Sequence, residues 1–109
     1  MTDNLVSIIM PSWNTADFIA ESIRSVIAQT YTDWELIIVD DCSTDRTDEV
    51  VASFRDSRIR YFKNEKNSGA ALTRNRALRE ARGEWIAIRL SPRNVLCIPL
   101  SSLRMSERQ

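Results

Sequence analysis

The stretch Trp34-Glu35-Leu36-Ile37-Ile38-Val39-Asp40-Asp41-Cys42-Ser43 decides the fold. Its four consecutive apolar residues run directly into two carboxylates and a hydroxyl. A run that is apolar on both faces is typical of a fully buried strand inside a parallel sheet. Open α/β sheets bind their ligands just beyond the carboxyl ends of such strands. Asp40 and Asp41 are therefore the first candidates for a functional site, with the alternative that they only cap the following helix.

The composition is that of one globular domain: the chain has 109 residues, of which 43% are hydrophobic and 28% charged. The formal net charge is zero, so no global field favours a nucleic-acid partner. The sequence contains no histidine, which excludes histidine acid–base chemistry and histidine metal ligands within it. No apolar run has the length of a transmembrane segment, and Cys42 and Cys97 are too far apart to suggest a disulfide framework. We therefore expect a cytoplasmic protein.

The hydrophobic periodicity predicts alternating strands and helices. The predicted strands cover residues 5–10, 36–39, 58–63 and 84–88, and helices are predicted at residues 16–30, shortly after Ser43, and at residues 70–82. Pro11 is expected to stop the first strand and Gly83 to cap the third helix. The order βαβαβαβ predicts a Rossmann-like α/β fold, a mostly parallel sheet with helices on both faces.

The composition changes near residue 89. Residues 1–88 carry 11 basic and 14 acidic side chains, whereas residues 89–109 carry four arginines and one glutamate. The second segment also contains Pro92 and Pro99 and has no clear period. We expect a divergent basic tail over residues 89–109, and the sequence leaves open whether it is ordered.

Two strand ends are predicted to meet at one edge of the sheet: Pro11-Ser12-Trp13-Asn14 after the first strand and Asp40-Asp41 after the second. An aromatic ring beside carboxylates suits a nucleobase, because the ring offers a stacking face. A carboxylate can accept the N–H of a uracil-like or guanine-like edge. Because Trp13 lies in a polar turn after proline, we expect it to be exposed rather than part of the core.

Arginines of the third helix are the remaining candidates. Arg74 follows the loop at residues 67–69 and could bind a phosphate or nucleotide oxygen with both guanidinium nitrogens. Arg76, Arg79 and Arg82 are predicted to lie on a solvated helix face.

Several spaced segments together resemble the family-2 glycosyltransferases of GT-A fold. They are residues 6–14, 25–31, 34–45, 67–69, 73–75 and 81–87. The resemblance covers about residues 5–88 in unbroken order, and several motifs together are far more specific than any one of them. Cys42 departs from the glycine or asparagine that is usual in the family.

The resemblance implies that residues 1–88 form the nucleotide-sugar-binding half of a glycosyltransferase domain. Its partner would be a nucleotide-diphosphate sugar, most often a UDP-sugar, used in the synthesis of glycans or cell-envelope polysaccharides. Pro11 and Trp13 match the residues that contact the base and stack on it, and Ser12 and Asn14 belong to the same motif. Asp41 matches the carboxylate that contacts the base, with Asp40 supporting it, and Arg74 matches the arginine that approaches the nucleotide.

The sequence departs from the family where a metal-binding Asp-x-Asp motif is expected. The chain reads Ile88-Arg89-Leu90-Ser91-Pro92-Arg93-Asn94 at that point, without an acid. The full-length family is expected to use Mg or Mn, whereas no cofactor or metal ligand is assigned to this chain. No residue of the chain matches the general base of the family, so the sequence does not decide whether this chain is an inverting glycosyltransferase. The missing motif and the missing base favour a truncated, inactive product.

The alternative is a non-catalytic, degenerate fragment with weak nucleotide binding or none. In that interpretation the last predicted strand has an unpaired edge, which would permit a homodimer. Two other enzyme or signalling classes fail on sequence. A receiver domain needs a lysine near its final strand, whereas the only lysines, Lys63 and Lys66, precede the third helix. A nicotinamide-binding Rossmann unit needs a glycine-rich first turn, whereas the only glycines are Gly69 and Gly83.

Overall fold

The backbone of the computed structural model, which describes residues 5–89 and 95–99, alternates strands and helices as the periodicity predicts. The elements are β1 (Val6–Ser12), α1 (Ile19–Ala28), β2 (Trp34–Asp40), α2 (Thr47–Ala52), β3 (Ile59–Lys63), α3 (Ala70–Glu80), β4 (Trp85–Arg89) and β5 (Val95–Pro99). Of the helices in these ranges, none has the length and apolar character that crossing a bilayer requires.

The strands form one sheet in the order β3-β2-β1-β4-β5. The first four strands in this order are parallel, which confirms the predicted α/β fold, and β5 pairs antiparallel with β4. Because β5 lies within residues 89–109, part of the expected tail forms a strand, although its residues show no clear hydrophobic period. The expected unpaired edge at β4 is wrong, since β4 lies between β1 and β5, and the argument for a homodimer through that edge has no support.

Apolar side chains cover both faces of the sheet, because every residue of β2 is buried. The larger cluster packs α1 and α2 on one face, and the smaller packs α3 on the other. The buried residues of the first are Ile8, Met10, Ile19, Ile23, Val26, Trp34, Leu36, Ile38, Val51 and Ala87. Those of the second are Ile9, Ile37, Val39, Ala77, Leu78 and Ile86. Together the two clusters fix β1 and β2 side by side, and this positions the ends of both strands.

Pro11 does not stop β1, which continues to Ser12. The Ser12 carbonyl accepts a hydrogen bond from the Asp41 N–H at 2.8 Å, so the backbone groups of Ser12 face β2. Those of Pro11 face the opposite side, where the described pairing with β4 ends at Ile9↔Ile88. The missing N–H of Pro11 therefore interrupts no described ladder bond, and the strand tolerates the proline.

Gly83 does not cap α3, which ends at Glu80 with an extended Ala81 after it. A Cβ atom at Gly83 would lie 2.4 Å from the carbonyl oxygen of Leu5 and 2.9 Å from the Ser7 hydroxyl. The Gly83 N–H donates to that hydroxyl at 2.8 Å. The glycine is needed because the chain passes closely against β1 as it enters β4.

Candidate functional site

The carboxyl ends of β1 and β2 meet at one edge of the sheet, as expected for parallel neighbours. Ser12 pairs with Asp40 in the β1–β2 register, so the loops after both strands leave the sheet together. They border an open cleft of about 510 Å³, a size common for small-molecule sites. The lining residues are Pro11, Ser12, Trp13, Asp41, Asn67, Gly69, Ala70 and Thr73.

The carboxylate of Asp41 is almost fully buried at this edge and accepts three N–H groups. Its Oδ1 accepts the Ser68 backbone N–H at 2.7 Å and the Asn64 side-chain amide at 2.9 Å. Its Oδ2 accepts the Gly69 backbone N–H at 2.9 Å. Burial raises the pKa of Asp41, but the hydrogen bonds from Ser68, Asn64 and Gly69 outweigh it and leave the pKa below its ordinary value. The group is therefore an ionised acceptor at neutral pH.

A second layer of contacts holds the donors of Asp41. The Asn64 amide also donates to the Thr73 hydroxyl at 3.2 Å, and its oxygen accepts from Arg76 at 3.0 Å. The Thr73 hydroxyl donates to the Gly69 carbonyl at 2.8 Å. These bonds connect the end of β3, the following loop and the first turns of α3 around one carboxylate.

Asp40 is fully buried and does not line the cleft. Its Oδ1 accepts the Ser43 hydroxyl, and its Oδ2 accepts the Tyr61 hydroxyl at 2.8 Å. Burial first, and then the hydrogen bond to this carboxylate, raise the pKa of Tyr61 above its ordinary value. Asp40 thus ties the loop after β2 to β3.

Asn14 connects the two loops that border the cleft. Its backbone is left-handed, with φ 52°, a conformation that asparagine tolerates. Its N–H donates to the Ser43 hydroxyl at 2.8 Å, and its Oδ1 accepts the Thr44 N–H at 2.8 Å. The residue lies beside the cleft and not in its lining, so it positions the loop that carries Trp13.

Trp13 is 54% exposed, as its place in a polar turn predicts. It contributes to the cleft wall together with Pro11, and Asp41 lines the same cleft. A flat aromatic surface and an ionised acceptor therefore border one cavity.

Arg74 is exposed on α3 and does not line the cleft, and within residues 5–88 its side chain makes no hydrogen bond. Arg76, by contrast, is partly buried and bonded to the end of β3, so its predicted place on a solvated face is wrong.

Sequence reasoning also missed Asn64 and the backbone N–H of Ser68. The only signal for them was the polar loop that precedes α3.

The two carboxylates do not form a metal site. Both oxygens of Asp40 accept hydroxyl protons, and N–H groups fill three acceptor positions of Asp41, so the pair does not offer the several free oxygens that a divalent cation needs. Among the described residues no group of three acidic or cysteine side chains could hold a metal ion. Residues 90–94, where the metal motif was expected, lie outside the described part of the chain.

Comparison with known proteins gives consistent results. A family model described as glycosyl transferase family 2 matches residues 7–88. Over 85 residues the chain is 47% identical to the putative teichuronic acid biosynthesis glycosyltransferase TuaG of Bacillus subtilis, covering 76% of this chain and 34% of the relative. It is 53% identical to the UDP-Glc:alpha-D-GlcNAc-diphosphoundecaprenol beta-1,3-glucosyltransferase WfgD of Escherichia coli, covering 80% and 34%. The chain thus spans about a third of the length of these relatives.

Two solved structures with the same fold contain nucleotides. The S. aureus TarS 1-349 complex with UDP superposes with a TM-score of 0.73 at 34% identity, covering 77% of this chain and 26% of that chain. The Pyrobaculum calidifontis mannosyltransferase PcManGT, in complex with GDP-Man and Mn²⁺, gives a TM-score of 0.70 at 29% identity, covering 81% and 27%.

Proposed function

This chain belongs to glycosyl transferase family 2, and from that premise we propose that its cleft binds the nucleotide of a nucleotide-diphosphate sugar, a UDP-sugar in particular. The bound sugar nucleotide would serve the synthesis of a glycan or cell-envelope polysaccharide, the kind of pathway named for relatives such as TuaG and the colanic acid transferase WcaA.

The observation that carries this proposal is the unfilled acceptor position of Asp41. An ionised carboxylate offers about four lone-pair positions. Three of these are occupied by N–H groups of the protein, and Asp41 lines the cleft. A further N–H, such as that of a uracil ring, completes the set and gains a hydrogen bond to a charged acceptor.

Trp13 supplies the second contact. Its ring is more than half exposed, so a base can stack on it without displacing a core side chain. Pro11 and Ser12 form the wall beside it, Asn14 and Asp40 hold the loops, and Arg74 is exposed at the start of α3, where it can approach the diphosphate. In the proposal these residues bind and orient the nucleotide.

We also propose that nucleotide binding by this chain needs no divalent cation and that the chain does not transfer the sugar by itself. The reason is that both oxygens of Asp40 accept hydrogen bonds and that the base would fill the one remaining acceptor position of Asp41. An inverting transfer requires a general base near the acceptor hydroxyl, and in this proposal Asp40 is buried away from the cleft and Asp41 is occupied by the base. The cytoplasmic location stays a prediction from the sequence.

The test is calorimetric titration of this chain with UDP, with and without Mn²⁺. Asp41→Ala should weaken UDP binding by about tenfold or more, since hydrogen bonds to charged groups are worth about 1.5–3 kcal/mol. Trp13→Ala should weaken it by a similar factor through lost stacking, and because Trp13 is exposed this variant should fold normally. The matched control is Asp33→Ala, which removes an exposed carboxylate before β2, at the opposite end of the strand.

Failure of the unchanged chain to bind UDP would refute the nucleotide site. Tightening by Mn²⁺ would refute metal-independent binding. Equal losses in Asp33→Ala and Asp41→Ala would show that overall charge, and not the cleft carboxylate, governs the affinity.

A further inference from the structure

The contacts of Arg76 extend to the cleft through one intervening side chain. Its Nη1 donates to Asn64 Oδ1 at 3.0 Å and to the Lys63 carbonyl at 3.3 Å. Its guanidinium also lies 5.4 Å from the centre of the Phe62 ring. These contacts hold Arg76 against the end of β3, so that its position relative to Asn64 is defined.

This bond determines which way the Asn64 amide faces. An asparagine amide can present either its oxygen or its NH₂ group to a neighbour. The oxygen accepts from Arg76, and the NH₂ group donates to Asp41 Oδ1 at 2.9 Å and to the Thr73 hydroxyl at 3.2 Å, so Arg76 holds the one end of the amide that Asp41 and Thr73 do not. The opposite orientation would place two acceptors, the amide oxygen and the carboxylate, against each other.

The result is an unequal occupancy of the two Asp41 oxygens. Oδ1 accepts from both Asn64 and Ser68 and has no lone pair left, whereas Oδ2 accepts the Gly69 N–H. The Thr73 hydroxyl also lies near Asp41, but its proton is donated to the Gly69 carbonyl. Asp41 can therefore accept one more N–H, and only on Oδ2.

Nucleobases differ in the number of adjacent N–H groups that they offer. Uracil and hypoxanthine present a single ring N–H, whereas guanine presents a ring N–H and an amino N–H side by side. Cytosine presents an unprotonated ring nitrogen, which a carboxylate repels. A guanine edge needs a free position on each oxygen, and with Oδ1 filled its amino group would lie against Asp41 without a hydrogen bond to it, which costs affinity.

We propose that Arg76 is a positioning residue that, through Asn64, leaves Asp41 room for a single N–H and so makes the cleft select uracil over guanine. This inference rests on the proposed nucleotide site and specifies its base. Solved structures with this fold differ in the base of their nucleotide, since one contains UDP and another GDP-Man.

The experiment measures the affinities of UDP, CDP, IDP and GDP by calorimetry. IDP and GDP have the same ring system and differ by the amino group, so their ratio isolates the second N–H from the size of the base. The unchanged chain should bind IDP about tenfold more tightly than GDP, and UDP more tightly than CDP by a similar or larger factor.

Arg76→Ala should remove the donor that holds the Asn64 oxygen, so that the side chain is held only by Asp41 and Thr73, can turn away from Asp41 and can open a lone pair on Oδ1. UDP and IDP should then bind about three- to tenfold more weakly, GDP should change less, and the IDP-to-GDP ratio should approach one. Arg76→Lys retains a donor for Asn64 and should restore most of the ratio. Arg79→Ala is the matched control, because Arg79 is an exposed arginine on the same helix and its loss should leave the ratio unchanged.

A uniform weakening of all four nucleotides in Arg76→Ala, with an unchanged IDP-to-GDP ratio, would overturn the inference and leave the nucleotide site intact. So would an unchanged chain that binds GDP as tightly as IDP. Absence of UDP binding by the unchanged chain would overturn the proposed function and this inference with it. Urea unfolding of each variant separates loss of selectivity from loss of the fold.

Discussion

Glu35 is a buried carboxylate on which the stability of the sheet should depend. It is 6% exposed and accepts three donors from distant parts of the chain. They are the Ser7 hydroxyl at 2.6 Å, the Arg82 backbone N–H at 2.7 Å and the Arg60 guanidinium at 3.1 Å. Glu35 thereby joins β1, β3 and the segment between α3 and β4. The perturbation we consider is Glu35→Ala.

The expected loss follows from the groups that would remain. Removing one partner of a buried ion pair typically costs about 3–5 kcal/mol. The lower end of this range applies here, because Arg60 is partly exposed and keeps its contacts with Glu80. The Ser7 hydroxyl and the Arg82 N–H lose their acceptor in the same step. A domain of this size has a free energy of unfolding of about 5–15 kcal/mol, so the variant should fold but with a large part of its stability gone.

The control is Glu80→Ala, which removes the other carboxylate that contacts Arg60. That contact is 3.5 Å long and Glu80 is partly exposed, so the ion pair should contribute at most about 1 kcal/mol. Both variants change the net charge equally and leave Arg60 in place.

Urea unfolding followed by tryptophan fluorescence measures both variants. With a dependence on urea of about 1.5 kcal/mol/M, a loss of 3 kcal/mol lowers the unfolding midpoint by about 2 M. Glu80→Ala should shift the midpoint by no more than about 0.7 M on the same scale. Equal shifts in the two variants would refute the reasoning, because burial and not the ion pair itself is what distinguishes them.

Three further predictions concern glycine, cysteine and pH. Gly83→Ala should lower the free energy of unfolding by about 1–3 kcal/mol, because the new Cβ would lie 2.4 Å from the Leu5 carbonyl oxygen; an unchanged urea midpoint would contradict the close approach. Cys42→Gly should stabilise the chain by up to about 1 kcal/mol, because Cys42 has φ 62° and glycine adopts this conformation without strain; a lower midpoint would argue against it. Burial raises the pKa of Asp41 but its N–H donors lower it further, so the folded pKa lies below the unfolded value of about 3.8. The unfolded state then binds more protons, and the stability that Asp41 contributes is present above pH 3.8 and lost as pH falls through the folded pKa. Midpoints measured across this range should fall more steeply for the unchanged chain than for Asp41→Asn, and equal slopes would count against the prediction.

The sequence predicted the sheet because its signal is local. Residues 36–39 are apolar on both faces, which requires a central strand, and the helical spacing between strands requires parallel crossovers. The structure confirms both. The position of Glu35 could not be predicted in this way, since glutamate is usually exposed and its three partners come from residues 7, 60 and 82.

The two errors at Pro11 and Gly83 have a common cause. Each residue was interpreted from its usual local role, a strand breaker and a helix cap. In the structure each role is decided by a neighbouring strand: described pairing with β4 stops before Pro11, and β1 lies directly against Gly83. Register and close approach between strands are not encoded in the local pattern.

The candidate site was predictable only as far as its side chains follow strand ends. Trp13 and Asp41 were found because they come directly after two neighbouring parallel strands. Ser68 and Gly69 act through backbone N–H groups, which almost every residue possesses and no composition reveals. Arg76 depends on the end of β3 reaching one particular turn of α3, a tertiary contact without a sequence signal.

Two of the buried carboxylates, Glu35 in β2 and Asp41 just after it, differ in how their charge is compensated, and this difference separates stability from binding. Glu35 is paired with a cation, Arg60, and its three donors come from fixed elements. Asp41 is compensated by neutral N–H groups, and within residues 5–88 no ion pair is formed with it. A ligand that approached Glu35 would have to break an ion pair, whereas one that approaches Asp41 only adds a donor to an incomplete set. The stabilising carboxylate is therefore closed to ligands, and the carboxylate at the cleft can bind a neutral N–H at little cost to the fold.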